Sequence, residues 1–317
     1  MDKTLLTMGM PVYNEEKYIA EAIESLLAQT YKNFTLIISD NASTDRTPQI
    51  CKYYAKRDKR IVYVRHEKNM GSIANGLYLI EQTKTPFFML CGGHDKWHPS
   101  FVEKLLPALR EENVILSYSR SRLIKTDGTM GIIYRDDYTT VHIDRPADRY
   151  FYILRHMKAF NISYGIWLTK ALKNFNLNFR TVASDHIVLA QAAFEGKFKQ
   201  YNEVLFFARQ NREDEDHRDW ILRQFAQVTG KKSVENMSVS LLWFSFILEN
   251  IKVIFRKRYS LNIFTKLWLT MNILYKYIFY IYILNFHVKP ALNITLKKIL
   301  PDRTYSKLRS IWDKRKH

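Results

Sequence analysis

Cysteine is nearly missing from this chain: its 317 residues hold two, Cys51 and Cys91, far apart and without metal-ligand spacing. That usage fits a reducing compartment, and it excludes both a disulfide-built scaffold and a structural zinc site made of thiolates. Glycine and proline are also scarce, at 10 and 8 residues, so no collagen-like repeat is present. No low-complexity linker and no internal repeat interrupt the chain. The opening MDKTLLTMGMPVYNEE contains an apolar run too short for a signal peptide, so a cytosolic start is expected. Zinc-finger, RNP and G-x-x-G patterns are absent as well, which leaves a nucleic-acid-binding reading supported by basicity alone.

Acidic residues are few, 31 against 49 Lys and Arg, for a formal charge of +18. The imbalance is local. Residues 251–317 carry 15 basic and 2 acidic side chains, whereas residues 1–250 carry 34 and 29. A basic tail asks for an anionic partner, and this one is also rich in Ile, Leu, Phe, Tyr and Trp, which favours lipid over nucleic acid. Its most apolar stretch, Leu267–Phe286, approaches the ~20 residues that a bilayer span takes. Lys276 near its middle and its tyrosines suit the interface better than the bilayer core, and a helix packed within the protein would show the same periodicity.

With 47% hydrophobic residues there is ample material for a buried core, in one large or two modest domains. Short apolar runs at Thr4–Val12, Phe34–Asp40, Ile61–His66, Pro86–Cys91 and Val114–Ser119 read as strands. Between them, Glu16–Gln29, Arg46–Lys56, Ser72–Gln82 and Ser100–Arg110 read as helices. Alternation of this kind predicts an α/β fold, a mostly parallel sheet flanked by helices, because parallel strands need crossover connections. Ligands then bind beyond the carboxyl ends of the strands. Further on, Arg122–Tyr134 reads as a hairpin around Asp127-Gly128, followed by helices near Ala147–Lys158 and Ser184–Glu195. A short stretch at Ile162–Leu168 lies between those helices, and Glu203–Arg209 reads as a strand. From about Arg218 the pattern is helical, interrupted by Pro290 and Pro301. The expected division is residues 1–217 and a helical, basic-aromatic region, 218–317.

Polar residues gather just after the predicted strands: Tyr13, Asn14 and Glu15, then Asp40, Asn41 and Asp45, then Asn69, then Gly92 to Asp95. Singly, each has a plain structural use as a turn former or helix cap. Together they line one sheet edge.

The run MPVYNEEKYIAEAIESLLAQTYKNFTLIISDNASTDRT resembles the opening of family-2 glycosyltransferases of the GT-A fold, whose pattern is P-x-Y-N-E and then D-D-G-S-x-D. An N-x-G pattern follows at Asn69 and Gly71, with Ala74-Asn75 after it. The resemblance covers about residues 1–210. It implies an inverting transferase taking a sugar from a nucleotide donor, most often a UDP-sugar, to an acceptor hydroxyl. It also implies donor-binding roles for Pro11, Tyr13, Asn14, Glu15, Asp40, Asn41, Asn69, Gly93, His94 and Arg209, with Tyr13 stacking on the base and Asp40 bonding its edge. Where the family carries a metal-binding D-x-D, this chain reads Gly92-Gly93-His94-Asp95. Two aspartates are replaced, and His94 and Asp95 remain as ligands for a divalent cation, Mn or Mg, imidazole favouring the former. Alternatively His94 bonds the diphosphate or caps the next helix. Asp185 matches the family's catalytic base, with Ser184 where a glutamate is usual; its structural alternative is a first-turn carboxylate that favours the helix dipole. Gly196, Lys197, Leu205 and Arg209 match downstream, and Arg209 either holds the diphosphate or pairs with an acid in Glu213–Asp216. Asn161 and Tyr164 lie in a stretch that faces the acceptor in comparable enzymes. The implied acceptor is a lipid-linked or cell-surface glycan, at the inner face of the cell membrane. A homo-oligomer is compatible with this reading, and a non-catalytic sugar-nucleotide or glycan binder is its main alternative.

Overall fold

The computed structural model describes residues 5–135, 137–157, 161–174, 176–177, 179, 181–210, 219, 221–223, 225–226 and 239–285. Four strands, β1 (Leu6–Val12), β2 (Phe34–Asp40), β3 (Ile61–Arg65) and β4 (Phe87–Leu90), pair in parallel in the order β3-β2-β1-β4. Helices α1 (Ile19–Leu27), α2 (Thr47–Ala55) and α3 (Ser72–Gln82) make the crossovers. Every residue of β1 except Pro11 is buried, as a central strand covered on both faces should be. Helix α1 buries Ile19, Ala22, Ile23 and Leu26, spaced to fall on one face.

After β4 the expected order changes. A two-residue strand, β5 (Lys96–Trp97), has no counterpart in the sequence reading; it is too short to leave a periodic signal. Helix α4 (Phe101–Leu105) gives way to a 3₁₀ turn, Leu106–Arg110, because Pro107 lacks the N–H that an α-helix needs. Strand β6 (Val114–Ile124) is longer than expected and absorbs the first arm of the hairpin, whose second arm is β7 (Met130–Tyr134). Helix α5 (Pro146–His156) and a 3₁₀ turn (Asn161–Tyr164) lead into β8 (Ile166–Leu168), which inserts antiparallel between β4 and β6. Helices α6 (Thr169–Asn174) and α7 (Ser184–Glu195) follow, then β9 (Lys197–Arg209), parallel to β6 and antiparallel to β5. The sheet order is β3-β2-β1-β4-β8-β6-β9-β5, with β7 beside β6.

Helices α8 (Val239–Ile254) and α9 (Ile263–Asn285) come from the region expected to be helical. The chain forms two compact units, Met1–Leu269 and Thr270–His317. Helix α8 belongs to the first. Its buried Asn250 accepts a hydrogen bond from Tyr150 of α5 at 2.7 Å, and just beyond it Arg256 donates to Gln191 of α7 at 2.6 Å. The boundary expected near residue 217, the acids Glu213–Asp216 and the stretch containing Pro290 and Pro301 lie outside the described residues. Among the described residues no helix is long and apolar enough to cross a membrane.

Candidate functional site

The loops after β1 and β2 are stapled to each other by short polar side chains. Asn14 adopts a left-handed conformation (φ 56°), which asparagine tolerates better than most residues, and its N–H donates to Ser43 Oγ at 3.0 Å. Its Oδ1 accepts the Thr44 N–H at 2.8 Å. The Glu15 N–H donates to Thr47 Oγ1, and the Glu16 N–H to Asp45, which also caps Thr47 at the start of α2. Asp45 is thus spent on turn and cap.

Asp40 ends β2 fully buried. Its carboxylate accepts hydrogen bonds from the Ser43 N–H (2.8 Å), the Tyr63 hydroxyl (2.6 Å) and Arg65 (2.8 Å). Burial alone would raise its pKa, but those bonds and the Arg65 charge together hold it below the usual carboxylate value. Asn41 beside it donates to Asn69 Oδ1 and accepts the Met70 N–H, so two of the expected donor-site residues fix each other across the edge. Pro11 lies level with Ser39 inside the sheet, and Tyr13 stands at the rim with 46% of its surface exposed.

The loop after β4 folds back on itself because two glycines permit it. A Cβ on Gly92 would sit 2.3 Å from Asp95 Oδ2, and one on Gly93 would sit 3.0 Å from side-chain carbons of Val12 and Glu15. His94 Nδ1 bonds Glu15 Oε1 at 2.9 Å, while its Nε2 lies 4.0 Å from Asp95 Oδ1. Burial disfavours a charged ring there, yet the bond to Glu15 and the charges of Asp95 and Glu15 outweigh it and raise the His94 pKa. Asp95 is 3% exposed, and burial raises its pKa despite the nearby His94 and the hydrogen bond that its Oδ1 accepts from the Arg209 N–H at 2.9 Å.

Arg209 has an occupation that the sequence did not reveal. Its Nε donates to the His94 carbonyl at 2.9 Å, its guanidinium pairs with Glu21 of α1, and it lies over the Tyr18 ring. These contacts put it behind the loop. Glu21 and Tyr18 carry no motif signal; only the packing of α1 against the end of β9 brings them there.

Tyr164 joins this loop to α7. Burial drives its pKa well up, reinforced by the negative charges of Asp95 and Asp185 and by Cys91 and Glu15. The phenol therefore stands within electrostatic reach of both the cation-site candidate and the base candidate, which are ninety residues apart in sequence. It stacks on Phe206 of β9, which in turn packs on Trp97. Asp185 lies in the first turn of α7, yet no side chain caps that helix and, among the described residues, the Asp185 carboxylate accepts no hydrogen bond. Solvent reaches it, while protein crowds it on its other sides, and that desolvation alone raises its pKa.

A divalent cation fits these residues in a limited way. His94 Nε2 and Asp95 Oδ1 are one nitrogen and one oxygen donor facing each other, and His94 and Arg209 offset the desolvation of the buried Asp95 carboxyl only in part. Among the described residues no cluster of three or more such groups exists, so these two side chains do not complete a coordination shell by themselves.

The family model "Glycosyl transferase family 2" matches residues 7–175. The putative teichuronic acid biosynthesis glycosyltransferase TuaG of Bacillus subtilis (strain 168) is 32% identical over 127 residues, 40% of this chain and 50% of that protein. The putative glycosyltransferase EpsH of the same strain is 30% identical over 166 residues, 52% of this chain and 46% of its own. The chain thus spans about half the length of these relatives. Among solved structures, Staphylococcus aureus TarS 1–349 in complex with UDP-GlcNAc superposes with a TM-score of 0.61 at 18% identity, covering 85% of this chain and 71% of that one. The mannosyltransferase PcManGT from Pyrobaculum calidifontis, in complex with GDP-Man and Mn2+, gives 0.51 at 14% identity, covering 97% and 84%. At such identities the likeness establishes the fold.

Proposed function

The chain belongs to glycosyl transferase family 2, and from that premise we propose that it moves a sugar, with inversion, from a nucleotide donor to an acceptor hydroxyl, with Asp185 as the base. One observation carries this reading: the Asp185 carboxylate makes no hydrogen bond of its own and shares Tyr164 with the Asp95 loop. A carboxylate spent on capping would be bonded to backbone N–H groups. This one is left open, with a raised pKa that strengthens it as a proton acceptor.

The stapled loops after β1 and β2 hold the nucleoside, with Tyr13 against the base and Asp40, Asn41 and Asn69 shaping its slot. Asn14, Glu15, Gly93 and His94 flank the diphosphate, and Arg209 keeps His94 and Asp95 in position from behind. A divalent cation held by His94 and Asp95 would supply Lewis-acid stabilisation of the departing diphosphate. Because that leaving group needs no proton, one carboxylate suffices: Asp185 takes the acceptor's proton as the hydroxyl attacks the anomeric carbon. A UDP-sugar is the preferred donor on the resemblance of the motifs, and TarS, a protein of similar fold, was solved with UDP-GlcNAc and with UDP. Polysaccharide biosynthesis suits the relatives named above.

The basic C-terminal region would hold the enzyme on an anionic membrane face, where a lipid-linked or surface glycan is built. Phe264, 80% exposed at the start of α9, and the half-exposed Leu267 and Trp268 offer apolar side chains for that contact. Phe264→Glu with Trp268→Glu should cut co-sedimentation with anionic vesicles; unchanged binding would remove the membrane role.

The deciding experiment is a nucleotide-sugar panel read by thermal shift, with and without Mn2+. A ligand at a hundredfold excess over its Kd stabilises by about 2.7 kcal/mol. A shift with one sugar nucleotide, together with transfer lost in Asp185→Asn, supports the proposal. Binding without any transfer would favour the second reading, a sugar-nucleotide binder that lost turnover, which the glycines at 92 and 93 in place of aspartates keep open.

A further inference from the structure

Across the sheet from the proposed donor edge, the structure holds a shallow, open recess whose lining includes Arg120, Ser121, Tyr134, Tyr138, Asn161 and Gln200. Its lining contains a cation and neutral polar groups, with no carboxylate among them. Arg120 sits where the β6–β9 register shifts on both sides, between Ser119 and Arg120 and again between Arg120 and Ser121. The extra residues, between Tyr201 and Val204 and between Val204 and Phe206, lie on β9, so β9 is the bulged strand and the ladder beside Arg120 is interrupted.

The Arg120 guanidinium beside this interruption is left without a counterpart. Arg120 Nε is buried and has no hydrogen-bond partner, and among the described residues no ion pair or ring contact engages the side chain. Neighbouring arginines contrast with it: Arg122 donates to the Gly131 carbonyl, and Arg149 to the carbonyls of Ala193, Ile143 and Asp144. Arg120 is half-buried, and its desolvated Nε–H is costly to leave unpaired unless a ligand completes it.

Register fixes how the recess relates to the reaction centre. Ile166 of β8 faces Met89 of β4 on one side and Ser117 of β6 on the other. Ser121 pairs with Phe206 of β9, the ring on which Tyr164 stacks, and Phe206 also pairs with Trp97, two residues past Asp95. Asn161, whose Nδ2 donates to Ser121 Oγ at 3.1 Å, shares its 3₁₀ turn with Tyr164. The recess thus adjoins the acceptor side of the site, close enough to take a neighbouring unit of the same acceptor chain.

Building on the transfer reading above, we propose that this recess binds an oxyanion carried by the acceptor, a phosphate or a carboxylate, with Arg120 as its counter-charge. The acceptor is then an anionic glycan. Two probes separate the sources, dimethyl phosphate for a phosphodiester and methyl glucuronoside for a uronic acid, each titrated into the full chain and followed by the Arg Nε–H resonances. One of the two should saturate and shift the Arg120 signal. Arg120→Gln should weaken that binding about tenfold or more, and Arg120→Lys should restore part of it. UDP and GDP binding, measured on the same samples, should not change, which shows that the variants are folded and that the anion is not simply occupying the diphosphate site. Saturation by neither probe, or equal affinity in Arg120→Gln, overturns the proposal. Nucleotide binding absent from the wild type alongside Arg120-dependent anion binding would overturn the transfer reading and leave the anion site standing.

Discussion

The two sides of the sheet treat their polar groups in opposite ways. On the donor side, Asn14, Glu15, Asp40, Asn41 and Asn69 spend their hydrogen bonds on one another's loops or on β3. On the acceptor side, Asp185 and Arg120 carry opposite charges and neither is engaged by another side chain among the described residues. A satisfied network is rigid and contributes stability, whereas a partly desolvated polar group left unpaired costs stability and is worth keeping where a ligand completes it. The proposed donor edge is thus already bonded within itself, and the proposed acceptor side leaves its charged groups open.

The largest effect that can test this contrast is at Asp185. Asp185→Asn should lower transfer by ~10²–10⁴-fold while sugar-nucleotide affinity stays the same. Its stability should move the other way. Because the folded pKa is raised, the native state binds more protons than the unfolded one, and stability falls as pH rises through the window between the two values. Removing the charge abolishes that loss, so the melting temperature at neutral pH should be equal or higher. A first-turn carboxylate serving the helix dipole predicts the reverse, a loss of about 0.3–1 kcal/mol. The raised pKa also sets the acid limb of the wild-type rate, which should fall at a pH above the ordinary aspartate range.

Asp40→Asn probes the donor side, and there the cost should be in stability. It strips a charge that answers Tyr63, Arg65 and the Ser43 N–H, and about 2 kcal/mol should be lost, the low end for a buried pair because Arg65 is partly exposed. The sign with pH is opposite to that of Asp185. The folded Asp40 pKa is depressed, so its contribution is complete above the unfolded value and disappears as pH falls through the folded one. Wild type and variant should therefore converge in chemical denaturation below about pH 4. Between these two lies Gly92→Ala, whose methyl would meet Asp95 Oδ2. Overpacking of this kind costs about 1–3 kcal/mol, and the displaced carboxyl should also weaken any Mn2+-dependent thermal shift.

The position of the candidate donor residues could be read before the fold was known, because strand ends are marked by where apolar runs stop, and Tyr13, Asp40, Asn69 and Asp95 all lie at or just after such stops. Their partners could not. Asp40 meets Arg65 through the parallel register of β2 and β3, and Arg209 meets Glu21 through packing between β9 and α1; neither relation leaves a pattern in sequence. The same limit hid β5 and the antiparallel insertion of β8, whose three residues are too few for a period to show. Arg120 was invisible for a related reason. Within β6 it reads as one more residue of a strand, and neither the bulge of β9 beside it nor its unpaired Nε leaves a pattern in sequence.

The smallest effects give the sharpest form of the comparison, since they can be measured as a pair. Ser43→Ala removes the acceptor of the Asn14 N–H and should cost about 1 kcal/mol, a loss that comes from a network already satisfied in the absence of ligand. Arg120→Met removes a buried donor that has nothing to bond, keeps the apolar stem, and should leave the melting temperature equal or slightly raised. Thermal unfolding of the two variants without substrate is enough to decide. If Ser43→Ala is silent while Arg120→Met destabilises, the division into a finished cradle and a reserved acceptor side is wrong, and Arg120 holds the fold together. In the expected order, the energy already spent in the free protein lies on the donor side, and the charge kept at a cost at Arg120 is one that only an acceptor can repay.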